Sequence, residues 1–340
     1  MTVMEEPVEP SKRDARPRSK PARLLDLDTA HDLCHAILDE VERAVIGKRE
    51  VDTLVLGSML VGGHVLLDDL PGVGKTLTAR SLAQVAGLSF SRVQFTPDLL
   101  PTDITGSLVL DPATGRPEFR PGPVFANVLV ADEVNRAPAK TQSALLEAMQ
   151  EQQITVDGTS HRLPRPFVVI ATQNPIESEG TYALPEAQLD RFLVCSPMGY
   201  PEGEDELTIL RNRMGRRTEE TVLEPVVDLA TFRGIQRAVE QIHVDDTLLA
   251  YALDLVTATR AEPDLEVGAS PRGSLALVAL ARAWALLWGR DHVGPDDLRT
   301  LAVPVLGHRV VLKDEAWVKG LTGSDVVRRV IDRVPAPTWT

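Results

Sequence analysis

The sequence predicts an α/β fold: a parallel five-stranded sheet with helices on both faces, followed by a small all-α domain. Short apolar runs of strand length alternate with segments of helical periodicity, and these runs are 64–67, 90–95, 128–131, 167–171 and 192–196. From about Leu223 the strand pattern fades, and helical patterns occupy 247–260, 273–288, 295–306 and 324–334. The length of 340 residues suits about two domains of roughly 150 residues each.

The first 22 residues differ in composition from the rest of the chain. They combine four prolines with charges of both signs and few apolar residues, none of them Leu, Ile or aromatic. We therefore expect residues 1–22 to be a disordered tail, with a docking segment for a partner as the alternative. An amphipathic helical pattern then runs from Leu24 to Ala44, and a second helix is expected from Val51 to Val61.

The loop after the first predicted strand has the composition of a phosphate-binding P-loop. It contains Pro71-Gly72-Val73-Gly74-Lys75-Thr76 and begins a helical pattern that continues to Val85. Such a loop curls backbone N–H groups around phosphates at the positive end of a helix. Its lysine reaches the terminal phosphates and its hydroxyl binds Mg²⁺. The general pattern has another glycine at the position of Asp69, but aspartate tolerates left-handed backbone geometry, so the loop can still form.

The third apolar run ends in two acidic residues, Asp132 and Glu133. Phosphoryl transfer requires an acid that holds Mg²⁺ at this edge of the sheet and a neighbour that polarises the attacking water. We therefore expect Asp132 and Thr76 to hold Mg²⁺ and Glu133 to be the general base, which predicts Mg-dependent ATP hydrolysis with ATP and Mg²⁺ as cofactors. The alternative is a pair of surface acids that cap the next helix.

Two segments interrupt the alternation of strands and helices. Residues 101–123 contain Gly106, Gly115 and Gly122, and predict a hairpin-like insertion. Residues 153–163 alternate around Asp157-Gly158, a dipeptide that favours a tight hairpin turn. In the second domain, a proline followed by two aspartates at 295–297 predicts a helix start, because proline fits the first turn and acids complement the helix dipole.

Composition restricts the expected partners and location. The net charge of −13 and the pI near 5.1 argue against a general binder of nucleic acid or anionic membranes, which is usually basic. Cys34 and Cys195 form no metal-ligand spacing and no disulfide framework, which suits a reducing cytoplasm. There is no signal-peptide pattern and no apolar run of the ~18 residues that a membrane span needs, so we expect a cytoplasmic protein.

His31 and His35 fall at helical spacing with Cys34, but such a group is more often an ordinary helix face than a metal site.

Longer motifs resemble the MoxR family of AAA+ ATPases, in the helix-2-insert clade related to magnesium chelatase subunit I. They are Asp132–Glu151, Ala171–Pro175 and Leu184–Phe192, and the resemblance extends in order from Val45–Lys48 to the segment around His308-Arg309. The family also carries acids at the position of the first P-loop glycine. The resemblance implies an AAA+ P-loop NTPase core at 23–222 and an α-helical lid at 223–340. It also implies a helix-2 insert at about 104–123 and a pre-sensor-1 hairpin at about 153–163.

The resemblance also implies roles for single residues. Ile46 and Gly47 match the segment that contacts adenine, and Asn174 matches the sensor-1 residue that helps to position the water. Arg191 matches the arginine finger and Arg272 matches sensor 2 in the lid. The expected catalytic residues are therefore Glu133, Asn174, Arg191 and Arg272. The expected nucleotide-binding residues are Ile46, Gly47, Pro71, Gly72, Val73, Gly74, Lys75, Thr76, Leu77 and Asp132. An Asn-Pro turn, a helix-end ion pair and an exposed arginine are the plainer alternatives for Asn174, Arg191 and Arg272.

At the level of the whole protein, the resemblance implies a chaperone motor. An arginine finger acts on a neighbour's nucleotide, which implies a hexameric ring. ATP hydrolysis would serve maturation of, or cofactor insertion into, a client protein complex, often with a von Willebrand factor A-domain partner. A nucleic-acid motor remains open, although the acidic chain and the uncharged-to-acidic hairpin tip at 157–160 weaken it. A nucleotide-sensing scaffold with little turnover also remains open, although Glu133, Asn174 and Arg191 together speak against it.

Overall fold

A computed structural model describes residues 24–70, 72–174, 182, 184–215 and 221–337. The predicted tail at 1–22 lies outside the described residues. The helices are α1 (Leu27–Glu42), α2 (Arg49–Leu60), α3 (Lys75–Val85), α4 (Pro101–Thr105), α5 (Ala139–Glu151), α6 (Glu186–Leu189), α7 (Gly203–Gly215), α8 (Leu229–Val239), α9 (Asp246–Arg260), α10 (Pro271–Leu287), α11 (Pro295–Leu306), α12 (Asp314–Val318) and α13 (Gly323–Arg333). The strands are β1 (Val65–Asp68), β2 (Phe90–Gln94), β3 (Gly106–Leu110), β4 (Pro117–Pro121), β5 (Val128–Asp132), β6 (Gln153–Val156), β7 (Thr159–Arg162), β8 (Val168–Gln173), β9 (Val194–Ser196), β10 (Leu265–Val267) and β11 (Val311–Leu312).

The central sheet has the strand order β2-β5-β8-β1-β9, and its strands are parallel. Successive residues of one strand face opposite sides, so a sheet covered on both faces must bury both sets. In β1, Val65 and Leu67 belong to one buried cluster and Leu66 belongs to the other. The predicted parallel five-stranded sheet with helices on both faces is therefore confirmed.

The helical lid packs on the same core as one face of the sheet. The buried cluster that contains Val65 also contains Phe232 of α8, Leu280 of α10 and Leu301 of α11. The lid also holds a short antiparallel ribbon, in which β10 pairs with β11 through Leu265 and Leu312. The sequence did not predict this ribbon, because strands of two or three residues carry no readable alternation.

Both predicted hairpins are present. β3 pairs with β4 within the insertion at 101–123, and β6 pairs with β7 around Asp157-Gly158. Asp157 and Gly158 both have positive φ, 48° and 74°, as a tight hairpin turn of this kind requires. The rings of Phe119 and His161 stack with centroids 4.0 Å apart, so the two hairpins contact each other.

The predicted start of the helix at 295–306 is also confirmed. The N–H of Gly294 donates to Asp297 Oδ2 at 2.7 Å, and the same carboxylate pairs with Arg290 at 2.7 Å. This arrangement satisfies a backbone donor at the helix N-terminus. In the described part of the chain, no helix has both the length and the apolar character that crossing a membrane requires.

The histidines and the cysteine of α1 contact the lid. His31 Nδ1 and His35 Nε2 each lie 3.0 Å from a backbone carbonyl oxygen at the end of α10. Cys34 is buried, and burial raises the pKa of its thiol to about 12. Among the described residues, no group of three or more His, Cys, Asp and Glu side chains could hold a metal ion.

His64 is buried just before β1 and joins the sheet to α5. The N–H of Val169 donates to its Nδ1 at 3.0 Å, so Nε2 carries the proton and donates to the Met149 carbonyl at 3.2 Å. Burial lowers the pKa of His64 to about 4. The folded state therefore holds this imidazole neutral, whereas the unfolded chain protonates it near pH 6.5.

Because the pKa of His64 is depressed by folding, its contribution to stability is complete above pH 6.5 and is lost as the pH falls toward 4. Between pH 7 and pH 5 this loss is on the order of 2 kcal/mol. Denaturant unfolding should be measured at both pH values. From pH 7 to pH 5, the free energy of unfolding should fall less in His64→Gln than in the wild type, and the difference should be about that amount. The exposed His243→Gln is the matched control. Equal losses in His64→Gln and the wild type would show that His64 does not cause the pH dependence.

Candidate active site

The glycine loop after β1 has the geometry of a phosphate cradle. Gly72 and Gly74 have φ values of 86° and 97°, a left-handed conformation that favours glycine. Gly74 is the N-cap of α3, so Lys75 and Thr76 are the first residues of that helix. The unpaired N–H groups and the positive dipole of a helix start favour an anion here. Pro71, which was also predicted to bind nucleotide, lies outside the described residues.

The Lys75 ammonium group lies between two strand ends. Its Nζ donates to the backbone carbonyls of Asp69 at 2.5 Å and Gln173 at 2.9 Å, which follow or end β1 and β8. Burial lowers the pKa of Lys75, while the carboxylates of Asp69 and Asp68 oppose that change. The lysine is thus held at the carboxyl edge of the sheet, at the start of the helix whose dipole favours phosphate. Of the other loop residues, Val73 is buried and Leu77 is exposed.

Asp69 occupies its position in the loop for a different physical reason than the one expected from the sequence. Asp69 is not among the described residues with a positive φ, so its tolerance of left-handed geometry is not used. Its Oδ2 instead accepts hydrogen bonds from the backbone N–H groups of Met198, at 2.7 Å, and Gly199. Burial would raise the pKa of this carboxyl, but those backbone donors and the N–H of Leu70 outweigh burial and lower it. The aspartate fastens the P-loop to the segment after β9.

The same segment also connects to the turn predicted to contact adenine. Ile46 and Gly47 lie in the turn between α1 and α2. The next residue, Lys48, is buried and donates from Nζ to the Gly199 carbonyl at 3.0 Å. Gly47 has a φ of 71°, and a Cβ atom there would lie 2.1 Å from Asp205 Oδ2 of α7. The predicted adenine segment and the P-loop are therefore held together through Gly199.

Thr76 and Asp132 face each other at the next strand end. The Thr76 hydroxyl donates to Asp132 Oδ2 at 3.0 Å, and the hydroxyl of Thr172 donates to Oδ1 at 3.2 Å. Arg92 of β2 pairs with the same carboxylate at 2.6 Å. A hydroxyl and a carboxylate beside a phosphate cradle are hard oxygen donors, and Mg²⁺ bound with a phosphate substrate takes such ligands. The residues present therefore fit a magnesium nucleotide.

Glu133 follows directly and has a strained backbone. Its φ of 54° and ψ of 50° are left-handed, which is uncommon for a residue with a side chain. The Thr172 hydroxyl accepts from the Glu133 N–H at 2.9 Å and helps to hold this conformation. The Glu133 carboxylate accepts from Gln94 Nε2 at 2.6 Å and from Arg136 at 3.0 Å. The predicted general base is therefore held by two neighbours.

Asn174 follows β8 and completes this edge of the sheet. It is buried, and its backbone carbonyl lies 3.5 Å from Asn135 Nδ2. Because β1, β5 and β8 are neighbouring parallel strands, their carboxyl ends bring together the residues predicted for phosphate, metal and water. These residues are Lys75, Thr76, Asp132, Glu133 and Asn174.

The structure places the two predicted arginines together, but at the opposite edge. Arg191 and Arg272 line a cavity with Gly63 and His64, which precede β1, whereas the P-loop follows β1. A strand of four residues spans roughly 13 Å. With the sheet between them and Lys75, these arginines lie away from the P-loop of their own protomer. Arg191 makes no side-chain hydrogen bond or ion pair with any described residue.

Arg309 of the lid binds the chain on both sides of Arg191. Its buried guanidinium donates to the carbonyl of Asp190 at 2.8 Å and to that of Phe192 at 2.6 Å. It also pairs with the Asp190 carboxylate, which lies 3.9 Å from Arg272. The Ser270 hydroxyl, at the N-cap of α10, donates to the same carboxylate at 3.2 Å. The lid therefore determines where the backbone of Arg191 sits.

Sequence reasoning missed several of these side chains. Gln94 and Arg92 lie on β2, where alternate polar residues resemble an ordinary edge strand. The register of β2 pairs Gln94 with Asp132, and this pairing brings its amide to Glu133. Arg309 lay within the resemblance, at its end, without an assigned role. A polar residue at the end of a predicted strand was the one signal that could have identified Gln94.

Comparison with known proteins identifies the family of the chain. Residues 64–194 match the ATPase family associated with various cellular activities (AAA), and residues 257–330 match an AAA lid domain. The chain is 43% identical to chaperone MoxR1 of Mycobacterium tuberculosis, over 90% of this chain and 83% of that protein. The chain belongs to the MoxR family of AAA+ ATPases. It is also 47% identical to protein YeaC of Bacillus subtilis, over 90% of this chain and 96% of the relative.

A solved structure and a distant relative extend the comparison. The crystal structure of a proposed ATPase from Cytophaga hutchinsonii is similar with a TM-score of 0.86 at 38% identity, covering 91% of this chain and 96% of that one. A magnesium-chelatase subunit of Cereibacter sphaeroides is 28% identical over 61% of this chain and 63% of the relative. The MoxR-family fold and the AAA+ core with a helical lid are thus shown.

We expect Arg309→Met to lower the ATPase rate about tenfold or more without weakening nucleotide binding at the P-loop. The reason is geometric: small misplacements of a charge-stabilising group cost about 100-fold in rate, and an arginine finger contributes about 10³–10⁵. Steady-state hydrolysis and the affinity for a fluorescent ATP analogue measure the two effects separately.

Arg299→Met is the matched control for this variant. Arg299 is likewise a lid arginine that donates to a backbone carbonyl, that of Ile331, but among the described residues no hydrogen bond joins it to Asp190 or Phe192. Thermal unfolding checks that both variants fold. If the two variants lost the same activity, Arg309 would have only a general structural role in the lid.

Proposed function

We propose that this MoxR-family protein hydrolyses ATP at the carboxyl edge of its sheet and does so as a ring in which neighbouring protomers complete each other's sites. The observation that carries the proposal is the convergence of Lys75, Thr76, Asp132 and Glu133, with Gly72 and Gly74 in left-handed geometry. A loop that binds phosphate, a metal-binding pair and a base are the parts that phosphoryl transfer needs. Membership of an AAA+ ATPase family supports ATP as the nucleotide.

The proposed reaction uses water as the nucleophile. A water oxygen forms a bond to the γ-phosphorus of ATP, and the bond from that phosphorus to the β–γ bridging oxygen breaks. The proton of the water passes to Glu133, and ADP and inorganic phosphate leave. Lys75 and the N–H groups at the start of α3 bind the phosphates, and Asn174 orients the water. Thr76 and Asp132 would hold Mg²⁺, which when bound would supply positive charge that stabilises the phosphate oxygens.

The placement of Arg191 and Arg272 supports a ring. At the opposite edge of the sheet they do not serve the P-loop of their own chain, and Arg191 lacks an ion-pair partner among the described residues. In a head-to-tail ring, this edge of one protomer would face the P-loop edge of the next. Both arginines would then approach the neighbour's γ-phosphate. We infer a homo-oligomer on this basis and propose a hexamer from the resemblance.

For the biological role we propose a chaperone or remodelling motor that acts on a client protein complex. The support is the 43% identity to a chaperone and the exposed leucines of the β3–β4 hairpin. Leu108 and Leu110 are 41% and 67% exposed, and such apolar side chains suit contact with polypeptide better than with phosphate backbones. Maturation or cofactor insertion as the task, the von Willebrand factor A-domain partner and the cytoplasmic location stay predictions.

Glu133→Gln should retain ATP binding and lose hydrolysis by about 100-fold or more, because general bases contribute about 10²–10⁴ in rate.

Gln94→Ala should instead raise the rate of ATP hydrolysis. Its hydrogen bond to Glu133 restrains the base, and releasing one hydrogen bond of about 1 kcal/mol should raise basal turnover about fivefold.

Phosphate release at saturating ATP measures both variants, with the exposed Gln241→Ala as the control for Gln94→Ala. A Gln94→Ala enzyme slower than the wild type would show that Gln94 places the base rather than restrains it. Wild-type turnover in Glu133→Gln would remove Glu133 from the reaction.

The ring predicts that two inactive variants complement each other. Lys75→Ala lacks nucleotide binding but keeps Arg191, and Arg191→Ala has the reverse defect. Mixed in equal amounts and reassembled, they should recover about a quarter of wild-type turnover, because random mixing places an intact pocket beside an intact arginine at about one interface in four.

The control for this experiment is a mixture of Lys75→Ala with Glu133→Gln, two variants that are both defective in the pocket itself. No interface in this mixture has an intact nucleotide pocket, so the mixture should stay inactive. A Lys75→Ala and Arg191→Ala mixture no more active than the sum of its parts would contradict action across the interface.

A further inference from the structure

A second cavity lies between the lid and the amino edge of the sheet, outside the site described above. Its volume is about 590 Å³, which is within the range of small-molecule sites. On the core side it is lined by the residues that precede β1, β6 and β8, and on the lid side by α8 and α10. None of the described residues that were predicted to bind or hydrolyse ATP lines it.

Arginines dominate the charge of this cavity. Arg165 comes from the core, Arg233 and Arg237 come from α8, and Arg282 comes from α10. Among the described residues that line it, Glu240 is the only acid. Four guanidinium groups and one carboxylate thus line the cavity, in a chain whose net charge is −13. This concentration of positively charged side chains in a concave site attracts anions.

The guanidinium groups of Arg282 and Arg165 have N–H donors that make no hydrogen bond with any described residue. Arg282 donates from one terminal nitrogen to the Glu240 carbonyl, but its Nε is buried without a hydrogen-bond partner among the described residues. A buried donor without an acceptor is costly, so its presence indicates a missing acceptor. Arg165 is exposed at the rim and makes no side-chain hydrogen bond or ion pair with any described residue.

We propose that this cavity binds a small oligophosphate anion. Guanidinium groups present planar pairs of donors that match phosphate oxygens, and several arginines from separate elements can share one such ligand. The concave shape and the inward position of Arg282 favour a small ligand over a flat protein surface. A ligand here would bridge the core and α10, the helix that begins beside Arg272.

The test is isothermal titration of the full chain with sodium pyrophosphate, in a Lys75→Ala background that weakens binding at the P-loop. We expect saturable one-to-one binding. The added Arg165→Gln/Arg282→Gln pair should weaken it by about tenfold or more, because charge-assisted hydrogen bonds to both groups are lost. Arg165→Gln alone changes an exposed side chain, retains the fold and should still weaken binding several-fold.

The control removes the same charge elsewhere, with Arg116→Gln/Arg211→Gln at two exposed positions. It should leave the affinity within about twofold of the background. Equal affinity in the cavity variants and the control, or no saturable binding at all, would overturn the proposal. A titration with ADP distinguishes the sources: tighter binding of ADP than of pyrophosphate indicates a nucleotide, and equal binding indicates a free oligophosphate.

A peptide of six glutamates tests the competing class of ligand. If the peptide binds more tightly than pyrophosphate and the cavity variants abolish that binding, the cavity is an acidic-peptide site and the proposal is wrong. The proposal is equally wrong if the cavity variants change only the oligomer size on gel filtration. Neither result bears on the proposed ATPase function, because the titration measures binding and does not depend on hydrolysis.

Discussion

The parallel direction of the five strands is the constraint on which the site depends. Because β1, β5 and β8 end at the same edge, residues from distant parts of the chain meet there: Lys75 after β1, Asp132 in β5 and Asn174 after β8. The same geometry sends the loops before β1 and β9 to the other edge, with Arg191. In the ring proposed above, one protomer would therefore carry two complementary halves of a catalytic site, separated by the length of a strand.

The fold was largely predictable because its signals are local in sequence. Strand, glycine loop and helix follow one another over 64–85, and the acids that end β5 are adjacent. Contacts between distant segments were not predictable, since no periodicity connects Gln94 to Glu133 or Asp69 to Met198. The role of Asp69 shows the difference: its position was correctly singled out, but its physical reason lies 129 residues away in a pair of backbone donors.

The Thr172 hydroxyl links the strained backbone of Glu133 to the Asp132 carboxylate. A residue with a side chain adopts a left-handed backbone there, and the Thr172 hydroxyl that holds its N–H also donates to Asp132. Thr172 therefore connects the residue proposed for metal binding to the proposed base. A shift of β8 relative to β5 would move both acids, whereas a shift of β2 would move only Gln94 and Arg92. Small sliding movements at the edge of the sheet can thus change the base without dismantling the metal pair.

The lid connects the arginine edge to the cavity that we assign to an anion. Arg272 and Arg282 lie ten residues apart on α10, roughly 15 Å along one continuous helix. At its start α10 is bonded to Asp190 through Ser270, and farther along it reaches the cavity through Arg282. Any displacement of α10 must therefore change both places, because a helix moves as a unit. An anion that fixed Arg282 against the core would also fix the distance between Asp190 and the lid. In the proposed ring, it would thereby fix the position from which Arg191 approaches the neighbouring protomer.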